Sequence, residues 1–223
     1  MLGAACAVLA GCASNPRGDV AILAPTATVQ VPAAPAAGPR GRVILLRGWM
    51  GLSPGLDPLA AKLRAEGFDA VVFRYSQWPD IAAQLRRPGA PRQPLILIGH
   101  SYGADAAICI AEDLARHDGR VELLITLDPC LPPPVPESVL VCRNYYQSHG
   151  VRDALPFFRG VALRPAAGAK VEVVNHDLRG NRRDLLEADT DHFKITTNTR
   201  VNEAILGDVR IAREAAALVA GTP

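Results

Sequence analysis

The chain has 223 residues, with 24 Lys and Arg against 22 Asp and Glu, a formal net charge of +2, and 49% hydrophobic against 21% charged residues. This is a globular balance in a length that suits one domain with a tail. The near-neutral charge offers no basic stripe, which excludes the electrostatic basis for a nucleic-acid partner.

Residues Leu2 to Ala10 are small and apolar and run into Leu9-Ala10-Gly11-Cys12. The run is too short for a transmembrane helix and has the length of a signal-peptide apolar region. Leu-Ala-Gly-Cys resembles the lipobox of bacterial lipoproteins, although no lysine or arginine lies between Met1 and the apolar run. The resemblance implies that residues 1–11 are a signal peptide and that Cys12 is lipidated and becomes the first mature residue. Ala13, rather than an aspartate, then implies a lipid anchor on the periplasmic face of the outer membrane. Residues 12–41 are rich in Pro, Ala, Gly and Thr, with prolines at 16, 25, 32, 35 and 39. They read as an extended, flexible linker, which at about 3.1 Å per residue reaches up to roughly 80 Å from a membrane. The folded domain is expected over residues 42–223.

Val43-Ile44-Leu45-Leu46 is a short apolar run ending at Arg47-Gly48, which predicts a buried strand. A helix follows, with Asp57 as N-cap, Pro58 at the first helical position, Leu59 and Leu63 on one face and Gly67 as the stop. A strand over Ala70–Tyr75 and a short helix after Pro79 come next. Leu95–Ile98 is another buried strand, followed by a helix from Tyr102 to about Arg116. Strands are expected at Val121–Leu127, Val139–Tyr146 and Val171–Asn175. A last helix over Val201–Val219 sets Ile205, Val209, Ala212 and Ala216 on one face. Strands alternating with helices, in continuous apolar runs, point to an α/β three-layer sandwich whose mostly parallel sheet is covered on both faces. Ligands of such sheets bind at the carboxyl ends of the strands.

At the end of the Leu95–Ile98 strand stands Gly99-His100-Ser101-Tyr102-Gly103-Ala104, a G-x-S-x-G between a strand and a helix. A sharp strand-to-helix turn strains the serine backbone and crowds the positions two residues to either side, where glycine relieves it. Ala104, Ala107 and Ala111 give the helix a small-residue face for close packing. Its N-terminus turns partial positive charge towards the serine. In these residues the chain resembles the α/β-hydrolase serine hydrolases, close to the lipase, esterase and thioesterase branch, over Arg42 to the C-terminus.

The resemblance implies Ser101 as nucleophile and an order of serine, acid, histidine. Arg47-Gly48-Trp49-Met50-Gly51 stands where the family has a His-Gly-x-x-Gly-like turn, with arginine in place of histidine. The oxyanion hole would then be the backbone N–H groups of Trp49 and Tyr102. For the acid, Asp128 in Thr126-Leu127-Asp128-Pro129 follows the Val121–Leu127 strand, matching lipase-like members that carry it one strand early. The next strand ends Asn144-Tyr145-Tyr146-Gln147 and has no carboxylate at its tip, and Asp153 further on is the alternative. For the base, His192, ahead of the last helix, is preferred to His176, directly after Val173-Val174-Asn175, while His149 precedes the last strand and is out of place. His100 reads as structural, and His117 as a helix C-terminal residue.

No paired ligand spacing suggests a metal, and no phosphate-binding motif suggests an organic cofactor, so none is expected. Cys109 falls on the helix after the elbow as a small buried residue. Cys130 and Cys142 lie on or beside neighbouring strands, but their offset along those strands strains disulfide geometry, and the pairing is left open. Only the Pro-rich loop Leu131–Ser138 occupies the usual position of a lid, which predicts little or no cap. Leu155, Pro156, Phe157 and Phe158 in the following loop either line an acyl pocket or pack onto the core. The expected activity is hydrolysis of carboxylic ester or thioester bonds by Ser101, His192 and Asp128, the partner being a small acyl ester or thioester. The alternatives are a catalytically inactive envelope lipoprotein that binds a ligand, and a cell-wall amidase or peptidase.

Overall fold

The computed structural model describes residues 40–87, 93–148 and 160–220. Cys12 with the signal and linker up to residue 39, and His149, Asp153 and Leu155–Phe158, lie outside the described residues. Six strands follow in chain order: β1 (Arg42–Arg47), β2 (Asp69–Arg74), β3 (Leu95–His100), β4 (Val121–Leu127), β5 (Val139–Tyr146) and β6 (Glu172–Asp177). Between and after them run α1 (Leu56–Ala65), α2 (Trp78–Leu85), α3 (Tyr102–Ala115) and α4 (Thr199–Ala220). The strands form one sheet in the order β2-β1-β3-β4-β5-β6, and every neighbouring pair is parallel. The chain thus has an α/β fold.

The apolar runs explain this sheet. All six residues of β3 are buried, and Val43 to Leu46 of β1 are completely so. The pleat sends alternate residues to opposite faces. Val43, Leu45, Ile96 and Ile98 meet Leu59 and Leu63 of α1 and Val201, Ile205 and Val209 of α4. Ile44, Leu46 and Leu97 meet Ile81 of α2 and Ile108 and Ala111 of α3 on the other face. A strand with both faces buried has no use for polar alternation, so its signature is an unbroken apolar run.

Several boundaries differ from the sequence reading. α1 begins at Leu56 with Gly55 as its N-cap, so Asp57 lies in the first turn and is not the cap. Gly55 is pressed against the chain ahead of α4: its N–H donates to Thr196 Oγ1 at 3.2 Å, and a Cβ there would stand 1.7 Å from the Thr196 carbonyl oxygen. That contact starts the helix early and leaves the Asp57 carboxylate to pair with Arg47. Gly67 ends the helix as expected, at φ 87°, with the Phe68 N–H returning to the Leu63 carbonyl. β6 runs past Asn175 to Asp177, because His176 and Asp177 stay in register with Tyr145 and Tyr146. Cys130 and Cys142 are buried and form no disulfide, whereas Cys109 is half-buried and disulfide-bonded, not simply a small buried residue.

Candidate active site

Ser101 is the single residue between β3 and α3, at φ 57° and ψ −126°. A non-glycine residue in this region is strained, and the surroundings must over-determine it. They do so through close backbone packing. A Cβ on Gly99 would lie 2.2 Å from the Gly103 carbonyl oxygen, and one on Gly103 would lie 2.1 Å from that of Leu46. The Ser101 N–H donates to the Leu127 carbonyl at 2.9 Å, and its own carbonyl accepts from the Ala104 N–H at 2.9 Å. The turn is therefore fastened to the end of β4 and to the first turn of α3.

Asp128 is the first residue after β4, also at positive φ, 44°. Its N–H donates to the Tyr145 carbonyl at 2.9 Å, which fixes it against the end of β5. The carboxylate is fully buried; Oδ1 accepts from the Gln147 N–H at 2.8 Å and Oδ2 from Gln147 Nε2 at 3.1 Å. The backbone of Gly160 lies directly on it, since a Cβ there would come within 2.2 Å of Oδ1.

His192 sits in the loop ahead of α4. Its Nε2 is 3.1 Å from Ser101 Oγ, and its Nδ1 is 3.5 Å from Asp128 Oδ2. The second separation is an ion-pair distance, longer than a hydrogen bond, and Nδ1 makes no hydrogen bond of standard geometry. The loop is fastened on both sides of the imidazole. The Asp191 carboxylate accepts from the N–H groups of Phe193 and Lys194, each at 2.8 Å. The His192 carbonyl accepts from His100 Nε2 at 2.7 Å. A carbonyl can only accept, so His100 carries its proton on Nε2, and its Nδ1 accepts from Ser53 Oγ at 2.7 Å. Ser53 Oγ in turn accepts from the Gly48 N–H at 3.0 Å. Fully buried His100 thus ties the turn after β1 to the His192 loop. Burial, and then the charge of His192, push its pKa down to about 3, which keeps it neutral. Burial also pulls His192 down, but Asp128 and Cys130 outweigh it and raise the imidazole to about 9.

The structure brings Ser101, His192 and Asp128 together. His176 stands elsewhere, within β6, its ring 4.8 Å from that of Tyr145. The turn carrying Trp49 lies against the serine: a Cβ on Gly48 would be 3.0 Å from Ser101 Cβ. Tyr102 opens α3 on the other side of Ser101, its ring tilted on that of Tyr75 at 5.8 Å.

Two participants escaped the sequence reading. Cys130 Sγ lies 3.2 Å from Ser101 Oγ, the oxygen that faces His192 Nε2. Gln147 holds Asp128, and the strand register foretells it: Leu127 pairs with Tyr145, so the residues just past each strand end are neighbours. Past Cys130, a cavity of about 420 Å³ lies between Leu131–Pro133 and Val161–Arg164. Among the described residues no group of three His, Cys, Asp or Glu side chains is gathered to hold a metal ion. No protein-family model matches the chain, and no curated protein matches it significantly.

Proposed function

We propose that the protein is a serine hydrolase of the α/β-hydrolase kind that cleaves carboxylic ester or thioester bonds. One observation carries the reading: a serine on a strained strand-to-helix turn has its Oγ 3.1 Å from an imidazole whose other nitrogen faces a buried carboxylate. Three separate segments converge at the carboxyl edge of a parallel sheet to make it, where α/β folds place their chemistry. The strand order and the two glycines flanking Ser101 fit the same reading.

In this mechanism neutral His192 takes the Ser101 proton as Oγ attacks the acyl carbonyl, and Asp128 stabilises the imidazolium that forms. The N–H groups of Trp49 and Tyr102 receive the developing oxyanion, a contribution of a few kcal/mol each. His192 returns the proton to the leaving alcohol or thiol, then activates water against the acyl-enzyme. With its pKa raised to about 9, His192 favours an alkaline working range. The leader and linker support attachment through Cys12 to the bacterial envelope, with the domain on a tether.

The test is intact-mass labelling of the full chain with a fluorophosphonate, beside Ser101→Ala. One stoichiometric adduct on Ser101, lost in the variant, is expected. No adduct on folded protein would overturn the hydrolase and leave a ligand-binding lipoprotein as the reading to pursue. Turnover of amides at a rate comparable to esters would move the assignment to a cell-wall amidase.

A further inference from the structure

Cys130 is a nucleophile that the acyl-transfer scheme leaves unused. Its sulfur is 3.2 Å from Ser101 Oγ, the same oxygen that lies 3.1 Å from His192 Nε2. Ser101 is 6% exposed and Cys130 1%, so any path that delivers an electrophilic carbon to the oxygen ends beside the sulfur. A cavity of about 420 Å³ between Leu131–Pro133 and Val161–Arg164 has its first lining residue directly after Cys130 in the chain. The free thiol of Cys142 is placed quite differently. It is buried in the apolar layer under α3, and burial pushes it up to about 12.

We propose that Cys130 is a second nucleophile of this pocket, sharing His192 as its base with Ser101, and that it captures α,β-unsaturated carbonyl compounds. The proposal rests on the reading above in one respect: both nucleophiles draw on one imidazole. Neutral His192 takes the thiol proton, and the sulfur electron pair forms a bond to the β-carbon. The electron pair of the C=C bond moves to the α-carbon, which takes the proton back from the imidazolium. Nothing leaves, and nothing outside the two reactants is oxidised or reduced. Sulfur is the better nucleophile for such soft carbon, while the oxyanion-stabilised oxygen is suited to acyl carbon. The pocket thus sorts electrophiles by type. A thioether on Cys130 fills the space beside Oγ that an acyl carbon must enter, so capture stops hydrolysis.

The experiment treats the full chain with N-ethylmaleimide and a fluorophosphonate in either order and maps the adducts by peptide mass. Cys130 is expected to react at least roughly tenfold faster than Cys142 in the folded protein. Protein alkylated at Cys130 takes no fluorophosphonate, and protein first phosphonylated on Ser101 is not alkylated at Cys130. In Cys130→Ala, maleimide no longer blocks phosphonylation. His192→Gln slows Cys130 alkylation at least about tenfold, with continued protection of Cys142 showing that the variant is folded. Cys130 reacting no faster than Cys142, or a Cys130 adduct that leaves Ser101 labelling undiminished, overturns the proposal. If untreated protein takes no fluorophosphonate, the hydrolase reading fails, and the dependence of Cys130 alkylation on His192 decides the thiol by itself.

Discussion

Gln147 grips both oxygens of the Asp128 carboxylate, one with its backbone N–H at 2.8 Å and the other with its side-chain amide at 3.1 Å. The amide oxygen of Gln147 meanwhile accepts from Arg179 at 3.3 Å. A fully buried carboxylate would otherwise carry an uncompensated desolvation cost. Here it is satisfied from the tip of β5, and one oxygen is turned to His192.

Gln147→Ala keeps the backbone bond and deletes the amide. One oxygen of a buried charge is then under-satisfied, which costs about 1–3 kcal/mol of stability, measurable by urea unfolding. The rate of Ser101 phosphonylation should fall about tenfold, because the group that orients the imidazole is no longer held. Gln147→Glu should be worse on both counts, since it sets a second carboxylate against Asp128 in a buried space.

Two glycine substitutions should have opposite signs. Gly99→Ala places a Cβ 2.2 Å from a backbone oxygen inside the elbow. Neither β3 nor α3 can withdraw without opening the sheet, so a loss of about 3 kcal/mol or more is expected, together with loss of labelling at Ser101. Gly207→Ala lies within α4 with nothing inside 4 Å of the new Cβ. Its conformation is helical, so the substitution should stabilise by about 0.5–1 kcal/mol without altering labelling. Equal effects from both would contradict the packing described for the elbow.

His100→Leu removes the link between the turn after β1 and the His192 loop. The His192 carbonyl and Ser53 Oγ each lose a buried partner. A stability loss of about 2–4 kcal/mol is expected from two unsatisfied groups. Labelling of Ser101 should slow as well, because the carbonyl that anchors the base is released. His100→Gln, which can still reach one of the two partners, should recover part of both. Full labelling rates in His100→Leu would show that Asp191 alone suffices to hold the loop.

The legible parts of the molecule were those with a local signature. The elbow could be read because Gly99, Ser101 and Gly103 answer to steric demands within five residues, and β1 and β3 because burial on both faces demands unbroken apolar runs. What escaped depends on register between distant segments. Thr126, Asn144 and Asn175 look like stray polar residues in apolar strands, yet register aligns them across β4, β5 and β6. Thr126 Oγ1 donates to Asn144 Oδ1, Asn144 Nδ2 donates to Asn175 Oδ1, and Asn175 exchanges two bonds with the backbone of Leu163. This polar row fastens one wall of the cavity to the sheet. Gln147 and Cys130 were hidden for the same reason: each matters only through what the neighbouring strand end presents to it.

The two site histidines set opposing limits on pH. In the proposed mechanism His192 must be neutral to accept the Ser101 proton, and its pKa is raised to about 9 from an ordinary 6.5. The rate of esterolysis or of phosphonylation should therefore climb through pH 7 and 8 and level off only above about 9. Cys130 is one of the groups that raise it, so Cys130→Ala should move the inflection to lower pH, while an unmoved inflection would show that Asp128 accounts for the whole rise. Stability runs the other way. A raised folded pKa contributes stability that is complete below the unfolded value of 6.5 and is lost as pH rises through about 9. His100, depressed to about 3, contributes stability that is present above 6.5 and lost as pH falls through about 3. Together they place the stability maximum near pH 6.5 and the activity maximum well above it. Thermal unfolding across pH 4 to 10 beside the rate profile checks this. His192→Gln should flatten the alkaline decline in stability and leave the acid decline, and His100→Gln should do the reverse.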